Sequence, residues 1–196
     1  MKTKTLDLLK IDKSAYSYIL GIYLGDGCIN KMPRTYKLRI FLDAKYMTII
    51  DEVEQNLRIL FPKNKINQQK LYHKGKLSSI TVYLYSNNLP LLFPQHGVGK
   101  KHQRLIKLEL WQEKIMVPEK LLRGLFHSDG CYYNQTVNNK YTYSYYDFAN
   151  FSMDILNIWK KYADELKISY IEVKNHIRHR SNSSYKKLYP ILGIKK

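Results

Sequence analysis

Asp26 and Asp129 stand 103 positions apart, and each closes a similar run of residues. Ile19-Leu20-Gly21-Ile22-Tyr23-Leu24-Gly25-Asp26-Gly27-Cys28 is echoed by Leu122-Arg123-Gly124-Leu125-Phe126-His127-Ser128-Asp129-Gly130-Cys131. Gly, Asp, Gly and Cys recur identically, and small Gly25 matches small Ser128. Two carboxylates held close together repel unless a cation lies between them. Oxygen donors with no His or Cys partner suit a hard divalent ion such as Mg²⁺. Asp-Gly is also a common hairpin turn; its recurrence behind one small-residue pattern favours the metal reading.

The elements that must position the pair follow from the same residues. Gly21 and Gly25, like Gly124 and Ser128, are four apart and share one helical face, where a second backbone can approach closely. A glycine inside a helix costs about 1 kcal/mol relative to alanine, a loss that close packing would recover; a frayed terminus is the plain alternative. Residues 14–25 read as a helix capped by Ser14, and 118–128 as its counterpart with Pro118 in the first turn. Gly27 and Gly130 are expected to supply left-handed caps. A carboxylate at that end faces the negative pole of the helix, costing about 0.3–1 kcal/mol without a compensating cation.

Around the two helices the pattern repeats. Strands are expected at 28–31 and 36–42 around Met32-Pro33-Arg34, an amphipathic helix at 46–60, and a hairpin of 71–73 with 77–85 around Lys74-Gly75-Lys76. After a basic loop at 97–104, strands at 131–136 and 141–148 meet through Asn138-Asn139. A helix at 152–166 follows, then strands at 170–178 and 185–191 around Ser181-Asn182-Ser183-Ser184. The expected architecture is α+β: two αββαββ halves, residues 1–98 and 99–196, related by a pseudo-twofold axis. No Pro-rich or Gly/Ser-rich linker separates them, so they should pack directly.

The 196 residues carry 33 Lys and Arg against 16 Asp and Glu, a net charge of +17, with 44% hydrophobic residues. This composition is globular, and the field it sets up draws polyanions, which makes nucleic acid the first partner to consider. The excess is shared: residues 1–98 hold 15 basic and 7 acidic side chains, and 99–196 hold 18 and 9. Two cysteines form no disulfide framework and no Cys-x-x-Cys pair. His96, His102 and His127 lack zinc spacing, and Gly97-Val98-Gly99-Lys100 lacks the full spacing of a phosphate loop. Residues 1–13 carry scattered charges unlike a signal peptide, and no apolar run approaches the roughly 20 residues that span a bilayer. A soluble, intracellular protein, cytoplasmic or organellar, is expected.

Residues 19–27 and 122–130 resemble the two signature helices of LAGLIDADG homing endonucleases in their single-chain form, and the order of elements in each half is similar to that family over most of the chain. Leu24 and His127 stand where the consensus has its first Asp, a variable position that is not a metal ligand. The resemblance implies that Asp26 and Asp129 bind divalent metal, helped by the carbonyls of Gly25 and Ser128. It implies that the antiparallel sheets form a saddle in the major groove of double-stranded DNA with both motif helices at its centre. Both strands would be cut across the minor groove, leaving short 3′ overhangs. Metal ions that polarise a phosphodiester and activate water suit that reaction. The resemblance also implies a basic residue near each centre. By position these are Lys101 before the second motif and Lys187 in the last expected strand, with Lys100 and Lys186 beside them; simple solvation of these Lys-Lys pairs is the alternative.

Alternation places Lys37, Arg39 and Phe41 on one strand face, and gives one parity to Lys70, Tyr72 and Lys74 and to Lys174, His176, Arg178 and Arg180. Gln135 and Lys140 flank the second strand pair, and Gln68, Gln69, Asn134, Asn138 and Asn139 suit adenine edges. Any half-solvated sheet alternates, so these are candidates for DNA contact. Tyr141, Tyr143 and Tyr145 share a face that could be core or lie on sugars. The expected function is a Mg²⁺-dependent, site-specific DNA endonuclease acting as a free-standing monomer. A non-cleaving DNA-binding regulator or an RNA-splicing maturase on the same scaffold is the rival, and a generic RNA-binding protein would leave the repeat unexplained.

Overall fold

Asp12 starts the first helix: its side chain accepts the Ala15 N–H at 2.8 Å, satisfying one of the donors a helix start leaves open. The expected cap, Ser14, lies one residue inside. In the computed structural model, which describes residues 10–138 and 140–195, α1 (Lys13–Asp26) is buried without interruption from Ala15 to Leu24. A helix apolar on every side belongs at the centre of a fold.

β1 (Gly27–Lys31) follows α1 with no loop, then β2 (Tyr36–Asp43), α2 (Met47–Leu60), β3 (Asn67–His73) and β4 (Lys76–Tyr85). A connector holds α3 (Leu89–Leu92) and α4 (Leu110–Ile115). The second half has α5 (Pro118–Asp129), β5 (Gly130–Val137), β6 (Tyr141–Ala149), α6 (Met153–Glu165), β7 (Ile171–Val173), β8 (His176–His179) and α7 (Asn182–Leu192). The sheets have the same antiparallel order, β1-β2-β4-β3 and β5-β6-β8-β7, so the α+β, duplicated architecture is as expected.

Gly27 and Gly130 are not left-handed. Their φ angles of −97° and −85° are those of extended chain, because each helix turns straight into a strand. Their glycine identity has another cause: a Cβ at Gly27 would come within 2.6 Å of Tyr23 Cα, and one at Gly130 would run into the Phe126 ring. The end of the chain also differs from expectation. The expected strand at 170–178 is a hairpin that turns at Lys174, φ 53°, so Lys174 lies in a turn and not on a strand face. Residues 185–191 are helix. Ser181 caps α7 by accepting the Ser184 N–H at 3.1 Å, and Ser184, Leu188 and Leu192 recur every four residues on its buried side. Asn138, φ 52°, turns β5 into β6 as expected, while Asn139 lies outside the described residues.

One core runs through both halves. α1 and α5 touch along their small residues: a methyl on Gly21 would meet the Leu121 carbonyl at 2.5 Å, and one on Gly124 would strike the Tyr18 carbonyl. Beside this contact His127 is buried, its Nδ1 2.9 Å from the Tyr18 hydroxyl. Burial first, then the charge of Arg123, push its pKa down to about 4. Unfolding therefore takes up a proton as pH falls below the usual 6.5, and stability present above 6.5 is lost towards pH 4, by up to ~3 kcal/mol. The loss should appear in urea titrations as a difference: between pH 6.5 and 4 the parent should lose this stability relative to His127→Leu, which copies the equivalent Leu24, while the raised carboxyls act alike in both.

Candidate active site

Because α1 and α5 cross at their glycines, their C-terminal residues Asp26 and Asp129 emerge side by side. A methyl on Gly25 would lie 2.6 Å from Asp129 Oδ2. Burial, and after it the charge of Asp129, push the Asp26 pKa up to about 6, with Lys195 and Lys101 opposing. Burial likewise raises Asp129, whose Oδ2 accepts the Asn150 side-chain amide at 2.9 Å.

Two ammonium groups compensate the helix ends. Lys101 Nζ donates to the carbonyls of Tyr23 (2.5 Å), Gly25 (2.9 Å) and Gly27 (2.6 Å). Lys195 Nζ donates to the Ser128 carbonyl at 3.0 Å, the position equivalent to Gly25. Burial lowers both lysines, Lys101 to about 8, and both aspartates oppose the shift. Lys101 is therefore at the end of α1 beside the acidic pair. Lys187 is not: it sits on α7 and donates to the Lys167 carbonyl at 2.5 Å, because the segment expected to be a strand is a helix. Lys100 is exposed and lines a 340 Å³ cavity with Lys101, Arg104, Asp129, Asn150 and Phe151, while Lys186 is exposed on α7.

Lys195 and Asn150 are the residues sequence reasoning missed. A signal for Lys195 exists in Gly99-Lys100-Lys101 and Gly193-Ile194-Lys195: both glycines have positive φ, 84° and 65°, and turn the chain so that the lysine two residues on reaches a motif helix. Asn150 has no counterpart, since α2 and α6 in register place Ala44 there.

Among the described residues no three His, Cys, Asp or Glu are grouped so as to hold a metal ion. Two carboxylates and two main-chain carbonyls still fit Mg²⁺, which keeps several waters and is commonly held by one or two carboxylates together with substrate phosphates. Burial first, then repulsion by Asp129, raises Asp26, and a cation between the carboxylates would relieve the second.

Strand pairing fixes which candidates share a face. Lys37, Arg39 and Phe41 pair with Tyr85, Tyr83 and Thr81 on the side of the first sheet away from the helices. Lys70 is on the opposite side, opposite buried Ile80, and the exposed residues of β3 on the free side are Gln69 and Leu71. A register shift at Leu71/Tyr72 breaks the expected parity, leaving Tyr72 exposed, and Lys74, φ 49°, lies in the hairpin turn. On the second sheet the free face carries Gln135, Tyr143, Tyr145, Asp147, His176 and Arg178. Arg180 is exposed beyond β8, and Lys140 is exposed beside Tyr141, its Nζ 5.4 Å from the ring centre. His176 and Arg178 are engaged by Asp147, a pairing that alternation alone does not reveal.

No family model matches the chain. A search of curated proteins finds an uncharacterized protein of Methanocaldococcus jannaschii, 24% identical over 176 residues; the match covers 86% of this chain, which spans 59% of that relative's length. Among solved structures, the homing endonuclease I-WcaI bound to its DNA recognition sequence superposes with a TM-score of 0.60 at 18% identity, over 94% of this chain and 83% of that one. The LAGLIDADG meganuclease I-AabMI bound to uncleaved DNA gives 0.55 at 12%, over 91% and 84%. Full-length WhiA of Thermotoga maritima gives 0.56 at 13%, over 97% and 60%. With its two signature helices crossed at glycine and its two sheets in one order, the chain has the LAGLIDADG homing-endonuclease fold in the single-chain, two-motif form.

Proposed function

We propose that this protein is a site-specific endonuclease of double-stranded DNA that requires a divalent metal. The observation that carries the proposal is the pairing of Asp26 and Asp129 with one half-buried lysine on each helix end, Lys101 on Gly25 and Lys195 on Ser128. A DNA-binding scaffold alone needs neither two carboxylates raised by burial nor half-buried ammonium groups held on the adjoining helix-end carbonyls. Asp26 and Asp129 would hold Mg²⁺; the Gly25 and Ser128 carbonyls already accept from Lys101 and Lys195 and would serve as further ligands only through their second lone pairs. The ion would polarise the phosphodiester and lower the pKa of attacking water. Lys101 and Lys195 stabilise the negative charge that grows on the phosphate, from a site where burial strengthens every charge. Asn150 orients the Asp129 carboxylate. The free faces of the two sheets receive the duplex, and the chain acts as one copy because it already contains both halves.

The test is a selection for cleaved molecules from a random-sequence duplex library with Mg²⁺. Products with a defined site and both strands cut are expected, with none in EDTA. Binding to the selected site should weaken steeply with salt as counterions are released. Lys195→Met should lower the cutting rate roughly 100-fold or more, by removing one preorganised cation, with little change in affinity. A library with no cut molecule in Mg²⁺ or Mn²⁺ would overturn the nuclease reading in favour of a DNA-binding regulator.

A further inference from the structure

The two halves match in strand order but not in the charges they present at equivalent positions. Arg39 of β2 pairs with Cys28, and Asp147 of β6 pairs with Cys131, so the pseudo-twofold axis relates an arginine to an aspartate.

On the first sheet Arg39 is held but not neutralised. Its NH2 donates to the Asn30 side-chain carbonyl at 2.8 Å, and its guanidinium lies 5.5 Å from the Phe41 ring centre. Its Nε is shielded yet has no hydrogen-bond partner. Among the described residues no acid pairs with Arg39 or Lys37; Asp43, further along β2, is taken by Lys45 at 3.0 Å. An arginine fixed on one side and open on the other is suited to the paired acceptors O6 and N7 of guanine.

On the second sheet the only arginine within a strand, Arg178, is already satisfied. Asp147, 4% exposed, accepts its Nε at 3.0 Å and its NH2 at 2.8 Å, and accepts His176 Nδ1 at 3.1 Å. The fork that would read guanine is spent on a buried carboxylate. What remains on this face is Tyr133 stacked on Tyr145 with ring centres 5.1 Å apart, and exposed Tyr143 beside Gln135. Apolar ring edges suit the thymine methyl group, and glutamine suits adenine.

We infer that the two half-sites are read by different chemistry: Arg39 selects a guanine beneath the first sheet, while Asp147 withholds Arg178 so that the tyrosine face selects A·T pairs beneath the second. The inference rests on the DNA-binding reading above. Asp147 is here a positioning residue, and its readout is base preference at one site.

The test is repeated selection for binding, not cutting, from a random duplex library, using the full chain carrying Asp26→Asn. The enriched sequences should hold a fixed guanine in one half-site and A·T pairs at the dyad-related position. Adding Arg39→Ala should erase selection at that guanine alone and weaken binding to the parent site by roughly 5- to 150-fold, the discrimination one bidentate contact supplies. Adding Arg178→Leu should leave the motif unchanged, and Asp147→Asn should create a guanine preference in the second half-site. Should Asp147→Asn not fold, the arginine variants decide. Guanine fixed equally in both half-sites, retention of the guanine by Arg39→Ala, or a motif altered by Arg178→Leu would overturn the inference. Failure to enrich any sequence would instead sink the DNA-binding reading on which it rests.

Discussion

Replacing Asp26 by asparagine should abolish DNA cleavage while making the metal-free protein more stable at neutral pH. The same burial and the same neighbour, Asp129, that suit the carboxylate to a cation make it costly without one. A carboxyl raised to about 6 in the folded state, against an ordinary value near 3.8, is protonated more readily folded than unfolded. Stability is therefore greatest below pH 3.8 as far as this group is concerned, and declines as pH rises to 6. Above pH 6 the full penalty applies, about 1–3 kcal/mol after allowing for solvent at the cavity mouth. Asparagine keeps the shape and removes the charge. Thermal melts in EDTA should put the variant above the parent protein at pH 7.5 and level with it near pH 4. Mg²⁺ should raise the parent's melting temperature and leave the variant's almost unchanged. Cutting of the selected site should fall at least about 1000-fold, as expected when one of two metal-holding carboxylates is lost, while affinity stays within a few-fold. Unaltered cutting by Asp26→Asn would remove the metal assignment.

The cost of placing two carboxylates at these helix ends explains which parts of the site were readable. Asp26 and Asp129 stand out because a carboxylate at a helix C-terminus is locally unfavourable and is nevertheless repeated. Lys101 was reachable because it lies in a basic loop just ahead of the second motif. Lys195 was hidden by a change of register: its half is shorter across β7 and β8, of 3 and 4 residues against 7 and 10 in β3 and β4, so the 103-residue offset does not carry Lys101 to it. Asn150 belongs to one half only and gives no repeat to follow.

The fold shows the same division. Elements with long, clean periodicity, such as α2, β2 and α6, were legible to within a residue or two. Residues 185–191 were misread because Tyr185, Leu188, Tyr189 and Ile191 suit a strand by type; the Ser181 cap and the four-residue spacing of Ser184, Leu188 and Leu192 decide for helix. The consequence for function is direct, since α7 is the element that delivers Lys195. Arg123 secures its end by donating to the Ile191 and Leu192 carbonyls at 3.0 and 3.1 Å while its other nitrogens grip Glu52 at 2.7 Å. α2, α5 and α7 are thereby tied at one corner, and the second lysine reaches the helix end it compensates.

Gly124→Ala should destabilise the protein more than any substitution at the acidic pair. The added methyl would strike the Tyr18 carbonyl and come within 2.9 Å of the Ile22 nitrogen, both main-chain atoms of a buried helix. Neither can swing aside, so α1 and α5 must separate along their length. Overpacking of this kind typically costs 1–3 kcal/mol, and with backbone on the opposing side the cost should be ~3 kcal/mol or more. Gly25→Ala provides the contrast, four residues from Gly21 on the same helix face. Its methyl meets Ser128 Oγ and Asp129 Oδ2, which can rotate away, and Ser128 Cβ, which the backbone fixes. Gly25→Ala should therefore cost stability as well, less than Gly124→Ala because no opposing main-chain atom is met, and should in addition disturb the placing of Asp129: stabilisation by Mg²⁺ should weaken and cutting should slow. Denaturation midpoints with and without Mg²⁺ separate the two cases. Gly124→Ala lowers both curves together by the larger amount, whereas Gly25→Ala lowers both by less and also narrows the gap between them. A Gly124→Ala protein as stable as its parent would mean that the two helices do not meet at that glycine, and the side-by-side placement of Asp26 and Asp129 would lose its cause.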